Sequence, residues 1–289
     1  MTSKLDTKPV SWLDLSAAYA SDVARSLSRM LFKNVKRTRD VVDSEYNVGQ
    51  WSRVLAEKAW LREDTIEDFL VGHDQVERLA KVDGRIVGLL TSDYYRYRLG
   101  ALTKLVSRHC DSSSLIELGA GFGYNLFCLS RDPRWVKLRG LDIAPNAIEA
   151  GRQIAGHFEI AHRVTFDRID LTNADDPHFA ELLGETILTY FCIEQIPYAV
   201  DAVLENIIRA RPHRVINIEP ATGMLSRFNP RDIASRIYIR SMDYQTRLFE
   251  LLDELDAKGR IRVIARERMN FAPTLHNDGL LYVWEPLEN

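Results

Sequence analysis

The sequence predicts an α/β protein in which helices cover both faces of a mostly parallel sheet. Three observations support this class. From about residue 112, short apolar runs alternate with segments of helical periodicity, as in a doubly wound sheet. A glycine-rich turn follows the first apolar run directly. The last two apolar runs are joined by a loop too short for a helix, so the final strand should be antiparallel.

The first 111 residues (1–111) are predicted to form a helical N-terminal lid, and residues 112–289 the sheet domain. Thr65 lies three residues before Asp68, in a capping-box-like position at the start of one of the lid helices. Residues 82–85 have the composition of a turn, and the basic cluster 33–39 is interpreted as a solvated helix face. Helical spacing of apolar residues covers 11–32, 48–60, 65–80 and 99–109.

Five parallel strands are predicted in the sheet domain, because their near-continuous apolar character is typical of strands buried on both faces. They cover residues 115–118, 136–142, 164–170, 186–191 and 215–219. The helices predicted at 145–157, 177–183 and 197–210 each open with proline, which is favoured in a first helical turn. A long helical region over about 231–258 precedes the two hairpin strands, 261–269 and 279–285.

Composition and charge argue against several classes of protein. Of the 289 residues, 46% are apolar and 27% are charged, which is ordinary for a globular protein. The net charge of −3 disfavours a nucleic-acid binder, which is usually basic. Cys110, Cys128 and Cys192 form no C-x-x-C pair and are interpreted as reduced thiols, not as zinc ligands or disulfides. Because no secretory signal or membrane-spanning apolar run is evident, we expect a cytoplasmic protein that binds no membrane.

The turn after the first strand has the pattern of a ligand-binding loop. It reads Glu117-Leu118-Gly119-Ala120-Gly121-Phe122-Gly123. Glycines allow a tight turn and a close backbone approach, and the following helix start offers free N–H groups to an anion. Asp142 ends the second strand, where a carboxylate can accept both hydroxyls of a ribose. A dinucleotide fingerprint would require glycine at Tyr124, so the spacing argues against NAD.

These motifs resemble, over about residues 112–286, the class I S-adenosylmethionine-dependent methyltransferases. The resemblance rests on the acidic residue before G-x-G-x-G, on Asp142, on Asp170 after the third strand, and on the terminal hairpin. It implies a Rossmann-like seven-stranded sheet of order 3-2-1-4-5-7-6 and S-adenosylmethionine as cofactor. The residues expected to hold that cofactor follow the first four strands and are Glu117, Gly119, Ala120, Gly121, Gly123, Asp142, Ile143, Asp170, Leu171 and Phe191.

Polar residues after the later strands are the candidates that face the transferable methyl group. Glu194 and Gln195 follow strand four, Glu219 ends strand five, and His276 and Asn277 lie in the loop that returns to the same edge. Carboxylates suit a cationic nitrogen acceptor, a guanidine or an amine, because they can steer its N–H groups. A loose similarity to arginine N-methyltransferases carries over to Glu194 only.

Three alternatives stay open for the acceptor side. A hydroxyl acceptor would need a base such as His276. Glu194 and Gln195 could simply lie in the loop before a helix and favour its dipole. The chain could also bind the cofactor without turnover and act through partners. No metal site is evident in the sequence.

Two aromatic stretches of the N-terminal region are predicted to contact the ligands. In 45–51, Tyr46 and Trp51 are the expected substrate contacts of the lid. In 92–98, tyrosines alternate with arginines, and Arg96 is expected to meet the cofactor carboxylate. Ordinary packing of an amphipathic helix is the alternative for this stretch. Because helical lids often dimerise, a homodimer is a further expectation.

Overall fold

The N-terminal region of the protein is partly helical and partly a small sheet. The structure, a computed structural model, describes residues 5–32, 36–220, 222–275 and 279–287. The α-helices are α1 (Trp12–Phe32), α2 (Arg39–Asp43), α3 (Ser52–Glu57), α4 (Ile66–Val71) and α5 (Thr91–His109), with a π-helix at Ser44–Trp51 and a 3₁₀ turn at Ala59–Arg62. An antiparallel sheet of order β1-β3-β2 is built from β1 (Lys8–Pro9), β2 (Glu77–Val82) and β3 (Arg85–Leu90).

This small sheet corrects the prediction of one helix over residues 65–80. Thr65 does cap α4, since its Oγ1 accepts a hydrogen bond from the Asp68 N–H at 3.1 Å. The helix then ends at Gly72, which has φ 66°. The chain pairs as a hairpin because Asp83 and Gly84 both take positive φ, the geometry of a tight two-residue turn. Strand pairing therefore overrides the helical periodicity beyond Gly72.

The main sheet has seven strands in the predicted order. They are β4 (Ser114–Leu118), β5 (Lys137–Asp142), β6 (Val164–Arg168), β7 (Thr186–Tyr190), β8 (Arg214–Pro220), β9 (Ile261–Arg268) and β10 (Gly279–Pro286). Their spatial order is β6-β5-β4-β7-β8-β10-β9, with β10 antiparallel to both of its neighbours. The predicted topology, including the terminal hairpin, is confirmed.

Helices cover both faces of this sheet. They are α6 (Tyr124–Ser130), α7 (Pro145–His157), α8 (Val200–Arg209), α9 (Pro230–Ser241) and α10 (Leu248–Ala257), with 3₁₀ turns at Pro177–Leu182 and Ile193–Gln195. Neighbouring strand residues such as Leu115 and Ile116 belong to different apolar clusters, as expected where side chains alternate between two buried faces. Within the described ranges, no helix has the length and apolarity that a membrane crossing requires. The division at residue 112 into two domains stays a prediction.

The predicted helical region 231–258 is interrupted between α9 and α10. The Oε1 of Gln245 accepts from the Leu248 N–H at 2.8 Å and so satisfies the first N–H of the second helix. The Gln245 N–H in turn donates to the carbonyl oxygen of Glu194 at 3.1 Å. The break in the helix therefore supports the loop that follows β7.

Candidate functional site

A cavity of about 700 Å³ lies at the carboxyl ends of β4 to β7, beneath the N-terminal segment 39–51. This is the edge at which parallel α/β sheets bind ligands. The predicted site residues that line this cavity are Tyr46, Trp51, Glu117, Gly119, Ala120, Gly121, Asp142, Ile143, Asp170, Leu171, Phe191, Glu194 and Gln195. His276 and Asn277 lie outside the described residues.

The glycine loop takes backbone angles that suit glycine and is packed too closely to accept side chains. Gly119, Gly121 and Gly123 have φ values of 68°, 56° and 92°. A Cβ atom on Gly119 would overlap the Sγ of Cys192, and one on Gly121 would lie 2.9 Å from the Trp51 ring. Gly123 is not among the described residues that line the cavity. It precedes α6 instead, and a Cβ atom there would overlap the ring of Phe166, so its backbone packs on that ring.

Replacing Gly119 by alanine should destabilise the protein more than the same change at Gly184. Both positions have positive φ, 68° and 72°, which costs alanine about 1–2 kcal/mol. Only Gly119 adds a steric overlap, worth about 1–3 kcal/mol more, since nothing lies within 4 Å of a Cβ on Gly184. Urea unfolding of the two variants measures the difference. Equal losses would show that the loop is not held against Cys192.

Glu117 is a buried carboxylate with one oxygen left for a ligand. It is 1% exposed, and its Oε1 accepts a hydrogen bond from the Asn125 Nδ2 at 2.6 Å. The Asn125 Oδ1 accepts in turn from Arg98 at 2.8 Å. The Oε2 of Glu117 has no hydrogen-bond partner among the described residues. Burial raises the pKa of Glu117 to about 8, although Asn125 and Arg98 oppose this shift. The free oxygen is suited to accept a donor such as an ammonium group.

The predicted role of Arg96 is corrected by the structure. Arg96 lines a separate cavity and pairs with Asp93 at 3.0 Å. Two residues along a helix correspond to about 200° of rotation, so Arg96 and Arg98 lie on nearly opposite sides of α5. Arg98 is the arginine beneath the glycine loop. Its position four residues before Leu102, an apolar residue of the predicted helix 99–109, was a signal available in the sequence.

Asp142 joins the end of β5 to the glycine loop. Its Oδ2 accepts from the Gly121 N–H and its Oδ1 from the Ala144 N–H, both at 2.8 Å. Burial raises the pKa of this carboxyl, and the backbone donors oppose the rise. The carboxylate thus faces the cavity while it fixes the position of the loop backbone.

Asp170 anchors the N-terminal segment over the far end of the cavity. Its carboxylate pairs with Arg39 at 2.7 Å and accepts from the Thr172 N–H and hydroxyl at 3.0 and 2.7 Å. Burial raises the pKa of Asp170, but the Thr172 and Arg39 donors outweigh burial and lower it overall. Two further contacts hold the segment: Asn47 accepts hydrogen bonds of 3.1 and 3.0 Å from the backbone N–H and side-chain amide of Asn146, and Trp51 packs on the glycine loop.

The basic cluster 33–39 is predicted to be a solvated helix face, and the structure corrects this for the described residues 36–39. Arg37 is only 7% exposed. Its guanidinium donates to the Oε1 of Gln195 and, at 3.0 Å, to Glu45, and it lies 5.0 Å from the centre of the Tyr244 ring. Arg39 pairs with Asp170. Sequence reasoning missed both arginines, because their partners lie far along the chain.

Glu219 is predicted to face the transferable methyl group, but the structure places it behind the cavity wall, where it supports the turn after β7. It is 0% exposed and is not among the described residues that line the cavity. Its oxygens accept from the N–H groups of Cys192, Ile193 and Glu194 at 3.2, 3.1 and 3.3 Å. Burial raises the pKa of Glu219 to about 7, opposed first by a hydrogen bond with Thr189 and then by these backbone donors. Glu219 therefore holds the 3₁₀ turn that presents Glu194.

Glu194 presents a free carboxylate oxygen on the cavity wall. It is 3% exposed, and its Oε1 accepts from the Gln195 Nε2 at 2.5 Å. The Arg37 donor fixes the oxygen of the Gln195 amide on its own side, so the NH₂ group must face Glu194. The Oε2 of Glu194 has no hydrogen bond of normal geometry among the described residues, although the Tyr244 hydroxyl is close enough to lower the pKa of this carboxyl as a donor. Burial and the nearby Glu219 raise the pKa of Glu194 well above its usual range, while Gln195, Arg37 and Tyr244 oppose this.

Comparison with known proteins identifies the fold. The chain is similar to the pyocyanin biosynthetic protein PhzM, at 17% identity and a TM-score of 0.51, over 68% of this chain and 57% of that chain. It is similar to the [4+2]-cyclase SpnF, at 15% identity and a TM-score of 0.53, over 83% of this chain and 96% of that one. Geranyl diphosphate methyltransferase in complex with GPP and sinefungin aligns at 12% identity and a TM-score of 0.49, over 68% of this chain and 81% of that one.

The likeness to the first two structures shows that the chain shares their Rossmann-like fold, with the seven-stranded sheet order that the sequence predicts. No family model and no curated protein matches the chain. In the described part of the chain, no group of three or more His, Cys, Asp or Glu side chains is placed to hold a metal ion.

Proposed function

We propose that this protein is an S-adenosylmethionine-dependent methyltransferase whose acceptor is the nitrogen of a small cationic amine. The observation that carries the proposal is the free Oε2 of Glu194, which is buried on the wall of the same cavity as the glycine loop. The fold supports methyl transfer as the reaction, and the negative charge near Glu194 supports a cationic acceptor.

The residues at the glycine-loop end fit S-adenosylmethionine. The free Oε2 of Glu117 would accept a hydrogen bond from the cofactor ammonium group, and the loop backbone at Gly119 and Gly121 allows close approach. Asp142 would hold the ribose, and Asp170 the edge of the adenine. Bound there, the cofactor would supply an electrophilic methyl group and leave as S-adenosylhomocysteine.

Charge at the other end of the cavity favours a singly cationic acceptor. Glu194 lies on the cavity wall, and Arg37 behind it bridges Gln195 and Glu45, so these three linked groups sum to one negative charge when both carboxylates are ionised. An ammonium group beside the Oε2 of Glu194 would balance that charge and satisfy the buried oxygen. One free oxygen suits an amine better than a guanidine, which would need a forked pair of acceptors. Tyr46 and Trp51 add aromatic surface for a cation.

The chemical task of Glu194 follows from its raised pKa. An ammonium nitrogen has no lone pair to offer until it loses a proton. The Oε2 of Glu194 would take that proton, so that the nitrogen becomes a nucleophile while it is held in line with the methyl group. A raised pKa makes this carboxylate a stronger base than an exposed glutamate.

Mass spectrometry tests this function. The protein is incubated with S-adenosylmethionine and a panel of amines, guanidines and phenols, and each compound is examined for the gain of one methyl group together with formation of S-adenosylhomocysteine. The proposal predicts methylation among the amines. Methylation of phenols alone would contradict the nitrogen acceptor, and the absence of any methylated product across a broad panel would count against turnover.

Catalysis without methyl transfer is a second candidate. It is favoured by one observation: the [4+2]-cyclase SpnF aligns over 83% of this chain, so the fold also serves a different reaction. Adding compounds that carry a diene and an alkene to the panel, with chromatographic separation before mass spectrometry, distinguishes the two. Methyl transfer adds a methyl group and consumes S-adenosylmethionine, whereas cyclisation gives a product of unchanged mass at a new retention time and consumes no cofactor.

Replacing Arg37 by methionine should slow methyl transfer about 10- to 100-fold and move the acid limb of the pH–rate profile to higher pH. The positive charge of Arg37 lowers the pKa of Glu194, so its loss should raise that pKa further, and the base would ionise only at higher pH. Arg37→Lys keeps the charge and should show a smaller pH shift. A purely structural role for Arg37 would lower the rate in both variants without moving the profile.

A further inference from the structure

Arg98 is a cation buried directly behind the wall of the cavity. It is 7% exposed and is not among the described residues that line the cavity. Its guanidinium lies between two rings, 4.5 Å from the centre of Tyr124 and 5.2 Å from that of Tyr190. In the described part of the chain it forms no ion pair with a carboxylate. A charge buried in this way costs free energy, which the two aromatic faces offset only in part.

Asn125 connects this buried charge to Glu117. The Oδ1 of Asn125 accepts from the Arg98 Nη2 at 2.8 Å, and its Nδ2 donates to the Oε1 of Glu117 at 2.6 Å. Because a guanidinium can only donate, the amide has one possible orientation, with its NH₂ group toward the carboxyl. A cation on the amide oxygen polarises the amide and strengthens the hydrogen bond that the nitrogen donates. The charge of Arg98 is thereby felt at Glu117, whose Oε2 is left for a ligand.

We propose that Arg98 is a positioning residue for the cofactor, which acts through Asn125 to hold Glu117 as the carboxylate that receives the cofactor's ammonium group. The chain of contacts runs from α5 through α6 to the end of β4, so three elements fix one oxygen of the site. This inference rests on the proposed cofactor, but it does not depend on the proposed acceptor.

The ionisation of Glu117 decides whether it can receive an ammonium group. Burial raises the pKa of Glu117 to about 8, and the Asn125 hydrogen bond and the charge of Arg98 oppose this rise, while Asp142 adds to it. At pH 7 the carboxyl is therefore mostly protonated in the empty cavity, and binding of an ammonium group must release its proton. Without the positive charge of Arg98 the pKa would rise further, and the proton would be harder to release.

Two thiols also lie near Glu117, Cys128 on α6 and Cys192 after β7. Burial raises the pKa of both thiols, to about 12 for Cys128. They are therefore neutral over the pH range in which Glu117 titrates. Of the charged groups that act on Glu117, Arg98 is the cation and Asp142 the anion.

Calorimetry of Arg98→Met with S-adenosylhomocysteine at pH 7 and pH 9 tests the proposal. This ligand carries the same amino-acid end as the cofactor, and its own titration cancels in the ratio of wild-type to variant affinity. A nearby charge shifts the pKa of a carboxyl by about one to three pH units, and Arg98 acts from behind Asn125, which favours the low end. With Glu117 near pKa 8 in the wild type, Arg98→Met should weaken binding about tenfold at pH 7 but only about twofold at pH 9.

Arg96→Met is the matched control, because it is the same change on the same helix. Arg96 is exposed, pairs with Asp93 and lies on nearly the opposite side of α5, so its replacement should leave the affinity unchanged at both pH values. Arg98→Lys keeps the charge and should lose less affinity at pH 7 than Arg98→Met. If Arg98→Met does not fold, Asn125→Leu takes its place, since it removes the connection and should show the same dependence on pH.

The pH dependence separates this role from a structural one. A loss of equal size at pH 7 and pH 9 would assign Arg98 to packing or to direct contact with the ligand, and it would overturn the inference while leaving the proposed cofactor intact. Unchanged affinity in folded Arg98→Met and Asn125→Leu would overturn it as well. Failure of the wild-type chain to bind S-adenosylhomocysteine would overturn the proposed cofactor and this inference together.

Discussion

Replacing Glu194 by glutamine is expected to reduce the kcat/KM of methyl transfer roughly 10²- to 10⁴-fold, the range that a positioned general base contributes. Glutamine keeps the size of the side chain and can still accept a hydrogen bond from Gln195 at its oxygen. It cannot take a proton from the acceptor, and its NH₂ group would point a donor at an ammonium group. Steady-state kinetics with the acceptor identified by mass spectrometry measures the loss.

The matched control for this prediction is Glu205→Gln. Glu205 is half-exposed on α8 and pairs with Arg260 at 2.6 Å, outside the cavity. Its replacement should leave kcat/KM unchanged within about twofold, because an exposed ion pair contributes little. If Glu194→Gln retained full activity while its fold was intact, the carboxylate would not be the base, and the cationic acceptor would lose its main support.

Replacing Glu117 by glutamine is expected to weaken binding of S-adenosylmethionine about 10- to 150-fold, because a hydrogen bond to a charged group is worth about 1.5–3 kcal/mol. The variant keeps the acceptor for Asn125 but cannot ionise at the free oxygen when a cation binds there. Titration calorimetry of the variant and of Glu205→Gln measures the effect. Unchanged affinity in the Glu117 variant would show that the cofactor ammonium lies elsewhere.

Replacing Glu117 by glutamine should also stabilise the folded protein at alkaline pH but not at acid pH. Burial raises the pKa of Glu117 from 4.5 to about 8 in the folded state. Below pH 4.5 the group is neutral in both states and its contribution to stability is complete. As pH rises through 8 the carboxyl ionises inside the fold, and that contribution is lost, on the order of several kcal/mol. Glu117→Gln should therefore gain stability over wild type at pH 9 and not at pH 4.5, which unfolding in urea at both pH values would show. An equal difference at the two pH values would contradict the raised pKa.

The order of the main sheet could be predicted because it depends on local signals. Each strand is a short apolar run, α7 opens at its proline as predicted, and the short loop before β10 forces an antiparallel strand. The helix predicted from residue 197 begins only at Val200, and the one predicted over 177–183 is a 3₁₀ turn. The glycine loop could also be predicted from the sequence, because its positive φ angles favour glycine at Gly119 and Gly121. The hairpin at Asp83 and Gly84 was predicted as a turn, but the strands beside it carry a pattern that also fits a helix.

The polar groups around Glu194 could not be predicted in the same way. Arg37 lies 158 residues from Gln195 along the chain, and Glu219 lies 26 residues from Ile193. A single sequence gives the type of these residues but not which of them meet. Glu194 and Glu219 look alike in the sequence, yet one oxygen of Glu194 is free in the cavity while both oxygens of Glu219 are bound by backbone N–H groups.

Titration calorimetry of the wild-type chain with S-adenosylmethionine, and separately with NADH, tests the central claim most directly. The claim is that the cavity at the ends of β4 to β7 is an S-adenosylmethionine site. It predicts saturable binding of S-adenosylmethionine at one site per chain, weakened in Glu117→Gln, and no binding of NADH. Binding of NADH alone, or failure of the folded chain to bind S-adenosylmethionine, would contradict it.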